Sequence, residues 1–254
     1  MAAVDRAHHL VMSFDPIAEV YESLIPPAGR LERELPFLQE WIGAADTLLE
    51  LACGTGAHAA ALAAGCPGLR VTATDLAPAM IREAEARHGH DRVTYAVGDL
   101  GQPPTGPFQR ALILGNSLNL LPDTEAVGGA LRAIAQALAP QGRLLVQCTN
   151  PTAQIHAEAT QRVRHGEDRS LFIKQAVPHA GRRFLVLSAA YPDEQGAWVT
   201  RSAVQILLDI AHDELLGLGR SAGLDCDGVW GDLQGGAWEA STSGDCVVSW
   251  TRRL

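Results

Sequence analysis

Nine residues constrain this chain more than any others. Leu48-Leu49-Glu50-Leu51-Ala52-Cys53-Gly54-Thr55-Gly56 sets an apolar run directly against a turn of small residues. Short apolar runs bounded by glycine read as buried strands, and residues 47–52 fit that reading. An Ala-rich stretch over 56–64 then reads as a helix. Glycines at 54 and 56 lack Cβ atoms, so the backbone there can bend sharply and pass close to a bound nucleotide. Gly54-Thr55-Gly56-Ala57-His58-Ala59 also fits the dinucleotide fingerprint GxGxxA. A tight strand-to-helix turn with no ligand gives the same letters.

The rhythm continues downstream. Residues 69–74, 92–97, 110–115 and 142–148 read as further strands. Pro78 opens a helix to about Arg87, and Asp123 caps another running to about Ala139. Strand, helix, strand at this spacing predicts a doubly wound α/β fold around a mostly parallel sheet. Before it, Asp15-Pro16 suits a helix start, with Phe14, Ile17, Ala18, Tyr21, Leu24 and Ile25 at helical spacing. A second helical pattern from Leu31 to Ile42 should be kinked or split by Pro36. After Pro151 the rhythm breaks. Runs at 171–177, 182–191 and 197–208 read as an antiparallel meander. A helix over 212–221 follows, with Gly223 suited to its end, and two last strands near 225–230 and 245–251. The organisation expected is therefore a helical cap over 1–46, a core over 47–151 and 209–254, and a β-rich lid over 152–208.

Composition limits what such a chain can do. With 254 residues and 47% hydrophobic content it can bury a full α/β core. A net charge of −9 argues against general nucleic-acid binding, which depends on neutralising phosphates. No apolar run approaches the roughly 20 residues of a membrane span. The expectation is a soluble, cytoplasmic protein with neither nucleic acid nor membrane as partner. Five cysteines without CxxC spacing read as buried reduced thiols. Neither His8-His9 nor His88-Gly89-His90 has companion ligands at a metal spacing, so no metal is assigned. The only lysine is Lys174.

Two acids extend the glycine signal. Asp75 ends the second strand, 19 positions past Gly56, where a carboxylate can accept from both ribose hydroxyls. Capping of the helix at Pro78 is the plainer role. Asp99, in Gly98-Asp99-Leu100 after the third strand, can accept from an adenine amino group, with Leu100 and Met80 sandwiching the ring. Ordinary loop solvation is the alternative for Asp99.

Taken together, ELACGTG, Asp75, Gly98-Asp99-Leu100 and the run Leu112-Ile113-Leu114-Gly115-Asn116-Ser117 with Leu120-Leu121-Pro122-Asp123 resemble the class I S-adenosylmethionine-dependent methyltransferases. Within them the chain is similar to the glycine, sarcosine and amino-sugar N-methyltransferases. That group carries FD…Y near its start, matched by Phe14-Asp15…Tyr21, and a β-rich lid after the fifth strand. The resemblance implies a Rossmann-like seven-stranded sheet and S-adenosyl-L-methionine as cofactor, with S-adenosyl-L-homocysteine as product. It implies that Glu50 and the backbone at Ala52 and Gly54 face the methionine part, that Asp75 holds the ribose, that Met80, Asp99 and Leu100 line the adenine pocket, and that Gly56 and Leu76 also bind the cofactor. The Leu114 carbonyl would meet the cofactor amino group. Tyr21 and Arg30 would close over its carboxylate, with Arg33 as the rival of Arg30. The acceptor implied is a small molecule, an amine nitrogen ahead of a hydroxyl or carboxylate oxygen, and a homodimer is left open. Cys148-Thr149-Asn150-Pro151 replaces a more basic segment of the glycine-specific pattern, which argues against glycine itself.

For the acceptor side, His156 and Tyr21 are the candidate bases. Asn116 and Asn150, at strand ends, are candidate acceptor contacts, or equally turn formers. Residues 152–208 hold seven basic and five acidic side chains against an acidic remainder. Arg162, Arg164, Arg169, Arg182 and Arg183 either form a solvated face or include one or two that bind an acceptor carboxylate. Two other functions share the glycine turn: a nicotinamide-dependent dehydrogenase, and a catalytically silent protein that keeps the cofactor pocket.

Overall fold

The computed structural model describes residues 13–166 and 170–254. His8, His9 and Arg169, named above, lie outside them. Strands β1 (Thr47–Leu51), β2 (Arg70–Asp75), β3 (Val93–Val97), β4 (Phe108–Ile113), β5 (Leu138–Thr149), β10 (Leu224–Trp230) and β11 (Asp245–Arg252) form one sheet in the order β10-β11-β5-β4-β1-β2-β3. Strands β1 to β5 pair in parallel, whereas β11 runs antiparallel to both β5 and β10.

Burial on both faces explains why the strand sequences are continuously apolar rather than alternating. Leu49, Ile113, Leu144 and Trp250 pack on one side, under α5 (Thr124–Ala137) and α6 (His212–Ser221). Leu48, Leu112, Leu145 and Val247 pack on the other, under α2 (Ala28–Ile42) and α3 (Ala57–Gly65). The remaining helix of the core, α4 (Pro78–His88), follows β2. Asp123 caps α5 by accepting from the Ala126 N–H at 2.8 Å. None of the helices among the described residues is long and apolar enough to cross a membrane.

A second, four-stranded sheet is inserted between β5 and α6. It comprises β6 (Thr160–His165), β7 (Leu171–His179), β8 (Arg182–Pro192) and β9 (Trp198–Leu208), in sequential antiparallel order. One of its faces packs on the N-terminal segment: Phe172, Leu187, Ala189 and Ala203 meet Ile17 and Val20.

Four sequence expectations need correction. The strand β6 is absent from the sequence reading because Thr-Gln-Arg-Val-Arg-His is exposed throughout and carries no apolar signal. The helix expected from Asp15 is a 3₁₀ turn (Asp15–Val20) followed by a single α turn, α1 (Tyr21–Leu24). Asp15 does not cap its own helix; its Oδ1 accepts the Ala79 N–H at the start of α4, 2.8 Å away. Pro36 neither splits nor ends α2. It stands on the exposed side, as does Glu32, so water can satisfy the carbonyl that loses its donor. Finally, the cysteines are all free, but Cys226 is exposed and Cys53 half-exposed rather than buried.

The insert is fastened to the core by Asn119, which is fully buried. Its Nδ2 donates to Leu208 O at 2.8 Å, and its Oδ1 accepts from Thr149 N at 3.3 Å, so one amide grips both ends of the insert. Replacing Asn119 by Leu leaves a buried N–H and a buried carbonyl unpaired. The expected loss is about 2–4 kcal/mol of unfolding free energy, read from urea denaturation.

Candidate active site

The strand-to-helix turn after β1 is wound through three left-handed residues: Ala52 (φ 55°), Gly54 (φ 57°) and Gly56 (φ 78°). Ala52 adopts this conformation despite its Cβ, a local strain of the kind that concentrates at binding sites. Gly56 is irreplaceable for a second reason. A Cβ there would lie 2.5 Å from Cε1 of Tyr95, whose hydroxyl sits 3.1 Å from Gly56 O and 2.9 Å from His88 O. Ala52, Cys53 and Gly54 remain partly open to solvent, whereas Thr55 to Ala59 are buried.

Asp75 ends β2 and turns towards this crossing. Its Oδ2 accepts the Gly54 N–H at 2.8 Å, and its Oδ1 accepts the Ala77 N–H at 2.9 Å. Burial pushes its carboxyl above the ordinary value, against these two hydrogen bonds. A carboxylate has about four acceptor positions, so two are left for hydroxyls outside the chain. Asp75 thus fixes the residue before α4 without capping that helix, whose Ala79 N–H is taken by Asp15 instead.

Glu50 is 2% exposed, and its Oε2 has no hydrogen-bond partner. Burial, with Asp75 nearby, pushes its carboxyl up to about 8 although the Arg30 guanidinium opposes the shift. An orphaned carboxyl beside an open turn is suited to a ligand that brings hydrogen-bond donors and positive charge. Tyr21 lies against the same turn, with its Cε1 4.0 Å from the Cβ position of Gly54. Burial raises its phenol above the ordinary value, which favours the protonated hydroxyl. The electrostatic influence of Arg30 on Tyr21 and Glu50 places its guanidinium at this end of the cleft, while Arg33 is exposed.

Along the strand ends the picture differs from expectation. Met80 is 1% exposed and covered by Phe14, Ala18 and Tyr21. Leu100 packs into the core beneath α5. The apolar groups that stand open are Leu76 and Val97, 69% and 55% exposed, and Val97 is the register partner of Asp75. A flat ring would lie on these two rather than between Met80 and Leu100. Asp99 is exposed, with one oxygen accepting from Gly101 N. Leu114 O already accepts the Ser117 hydroxyl at 2.7 Å. Asn116 is left-handed (φ 65°), and its Oδ1 is buried without a partner.

Asn150 is a correction. Its Nδ2 donates to Ala240 O and Ser243 O, and its Oδ1 accepts from Thr152 N and Thr152 Oγ1. The amide is spent on the chain and has nothing left for an acceptor. His156 Nε2 lies 2.8 Å from Gly244 O, and a carbonyl can only accept, so Nε2 carries the proton. Burial lowers its pKa, which leaves a neutral ring with a free Nδ1 lone pair.

Several residues escaped the sequence reading. Gln147 accepts from Gly115 N and donates to Asp245 Oδ2 at 2.6 Å, which joins the ends of β4, β5 and β11. Burial raises the Asp245 carboxyl, with His156, Glu34 and Arg30 within electrostatic reach. Glu22 accepts from the Thr55 hydroxyl at 2.8 Å and pairs with His88 at 2.6 Å; Glu34 pairs with His58 at 2.8 Å. Burial pushes Glu34 up, but His58 and Arg30 outweigh it and hold the carboxyl below its ordinary value. Only the position of Asp245, a lone acid opening an apolar run, carried a sequence signal.

A parallel five-strand core with one antiparallel strand placed between β5 and β10 is the S-adenosylmethionine-dependent methyltransferase architecture. A fully parallel dinucleotide-binding sheet lacks that strand. Residues 48–142 match the family model described as a methyltransferase domain. The cypemycin N-terminal methyltransferase of a Streptomyces species is 30% identical over 183 residues, covering 68% of this chain and 74% of that protein. Among solved structures, the CcbJ methyltransferase from Streptomyces caelestis superposes with TM-score 0.79 at 22% identity, over 96% of this chain and 99% of that one. An S-adenosylmethionine-bound amino pentose methyltransferase from Micromonospora echinaspora gives TM-score 0.73 at 24% identity, over 92% and 96%. The chain belongs to the class I S-adenosylmethionine-dependent methyltransferases, an enzyme family whose cofactor suits the cationic preference of Glu50 and the free acceptor positions of Asp75.

The raised Glu50 has a testable sign. Its pKa climbs from 4.5 in the unfolded chain to about 8 in the fold, so folding binds a proton across that interval. Stability from this group is present in acid and lost as pH rises through 8. Thermal melting of the cofactor-free protein should therefore show Glu50→Gln gaining on wild type from about pH 4.5 to 8, with a constant gap above. A gap that does not change with pH would contradict the buried, unpaired state of Glu50.

Proposed function

We propose that this enzyme moves a methyl group from S-adenosylmethionine to an amine nitrogen of a small molecule. The observation that carries the reading is the buried Glu50 oxygen without a partner, set beside an open glycine turn and an Asp75 with acceptor positions to spare. Support for nitrogen comes from relatives named as an N-terminal methyltransferase and an amino pentose methyltransferase, although two others are named as malonyl-acyl-carrier-protein O-methyltransferases.

S-adenosylmethionine, when bound, supplies a methyl group already activated on a sulfonium. The chain's own task is to bind, orient and exclude water. Asp75 offers its free acceptor positions to ribose hydroxyls. Leu76 and Val97 give the adenine an apolar shelf. Glu50 faces the positive end of the amino-acid part, and Arg30, with the protonated Tyr21 hydroxyl, faces its carboxylate. The N-terminal segment and the second sheet wall the cleft above the C-terminal strand ends, where open α/β sheets bind ligands. Holding donor and acceptor in line supplies about 7–11 kcal/mol of the barrier reduction. An amine must shed a proton before it attacks. Asp245 and neutral His156, at the acceptor side, attract an ammonium and take that proton, with Nδ1 of His156 as the free base.

Two measurements test this reading. Titration with S-adenosylhomocysteine should give a dissociation constant at least tenfold weaker for Arg30→Ala, about 1.4 kcal/mol, and within twofold of wild type for Arg33→Ala. Incubation with S-adenosylmethionine and matched amine and alcohol acceptors should add methyl groups to the amines, seen by mass spectrometry. Methylation confined to the alcohols would sink the nitrogen assignment, and stabilisation by NAD in place of S-adenosylhomocysteine would sink the cofactor assignment.

A further inference from the structure

The face of the second sheet that turns to the cleft holds polar groups that the transfer chemistry does not use. Strand register defines that face. Phe172, Leu187 and Ala203 on it pack on the N-terminal segment, and side chains two residues away along each strand share it. Leu185 pairs with Gln205, and Arg183 pairs with Leu207, so Arg183 and Gln205 lie on the same face. They are diagonal neighbours, about 7–8 Å apart at the backbone.

Both are buried: Arg183 is 4% exposed and Gln205 1%. Neither is satisfied, since Arg183 Nη1 and Gln205 Nε2 have no hydrogen-bond partner. The guanidinium meets its nearest acid, Asp209, only at 3.7 Å through the other nitrogen. A buried cation with so little compensation is unfavourable as it stands, and a bound anion would complete it. This end of β8 and β9 is tied to the loop after β4, where Arg182 donates to Pro122 O and Leu208 O accepts from Asn119, on the side that the reading above gives to the acceptor. The other described arginines of this sheet are differently placed. Arg182 donates to Pro122 O, Arg164 on the exposed strand β6 lies over the Phe172 ring, and Arg162 and Arg201 are exposed.

We propose that Arg183 and Gln205 form an anion-recognition subsite, which takes a carboxylate or phosphate oxygen on the same molecule whose amine is methylated. A planar guanidinium with a free N–H beside an amide N–H matches two oxygens of one such group. The proposal rests on reading this cleft as the acceptor site, and it narrows the substrate class to amines that carry an anionic group.

The test uses the full chain saturated with S-adenosylhomocysteine, at constant ionic strength, titrated separately with sodium acetate, inorganic phosphate and acetamide. At least one anion should bind saturably, and acetamide should not. Preference for acetate assigns carboxylate-bearing amines; preference for phosphate assigns phosphate esters. Arg183→Gln should weaken the preferred anion at least tenfold with S-adenosylhomocysteine affinity unchanged. Gln205→Met, which keeps the volume and removes the donor, should weaken it several-fold and serves where Arg183→Gln does not fold. Absence of saturable anion binding to the wild-type complex, or binding undiminished in the variants, overturns the subsite. Failure of S-adenosylhomocysteine itself to bind overturns the methyltransferase reading instead.

Discussion

The Asp75 carboxylate is the joint on which the site depends. With one oxygen it fixes the Gly54 N–H in the turn after β1, and with the other it fixes the Ala77 N–H at the start of α4. Two strand ends and two loops are thereby held in one geometry by a single side chain. Cys53 N adds a backbone bond to Thr74 O at 2.9 Å, which extends the β1–β2 pairing to the turn itself. The left-handed Ala52 is tolerated because the residues on both sides of it are anchored. The turn after β1 is thus anchored to β2 and to the approach of α4 along the strand ends.

The cap is held by charge as much as by packing. Glu22 reaches Thr55 and His88, Glu34 reaches His58, Asp15 reaches the Ala79 N–H, and Arg87 donates to Glu19 O at 3.1 Å. These contacts surround the glycine turn from the outside. They bring Tyr21 and Arg30 over its open side. A segment that looks in sequence like a plain amphipathic helix is thus bound to the core by polar contacts. Its residues contact three separate elements of the core: the glycine turn, α3 and α4.

The floor was legible because glycine spacing, apolar runs and an acid at a strand end are local signals. Gly54, Gly56 and Asp75 follow from them directly, whereas Glu50 was marked only by the resemblance. The acceptor side was not legible, because its residues come from β5, β11 and the second sheet, far apart in sequence. Gln147, Asp245, Arg183 and Gln205 meet only once the strands are paired. The sequence named Arg183 within a basic group of five but could not say which arginine turned inward; the register of β8 against β9 decides that. Asn150 misled because an amide at a strand end has the same letter whether it binds a ligand or its own loop. Met80 misled in the same way: the N-terminal segment covers it, and exposure passes to Leu76.

The second sheet leaves the core after Thr149 and returns by Asp209, and one buried asparagine side chain, at Asn119, clasps both junctions. Its two roots are thus neighbours, and the floor beneath has no stake in what lies between them. Such an arrangement separates inheritance into two channels. The turn after β1 and its anchor at Asp75 can stay constant while the intervening chain, roughly 200 Å when extended, drifts, lengthens or exchanges polarity, so that new acceptors can be acquired without rebuilding the catalyst.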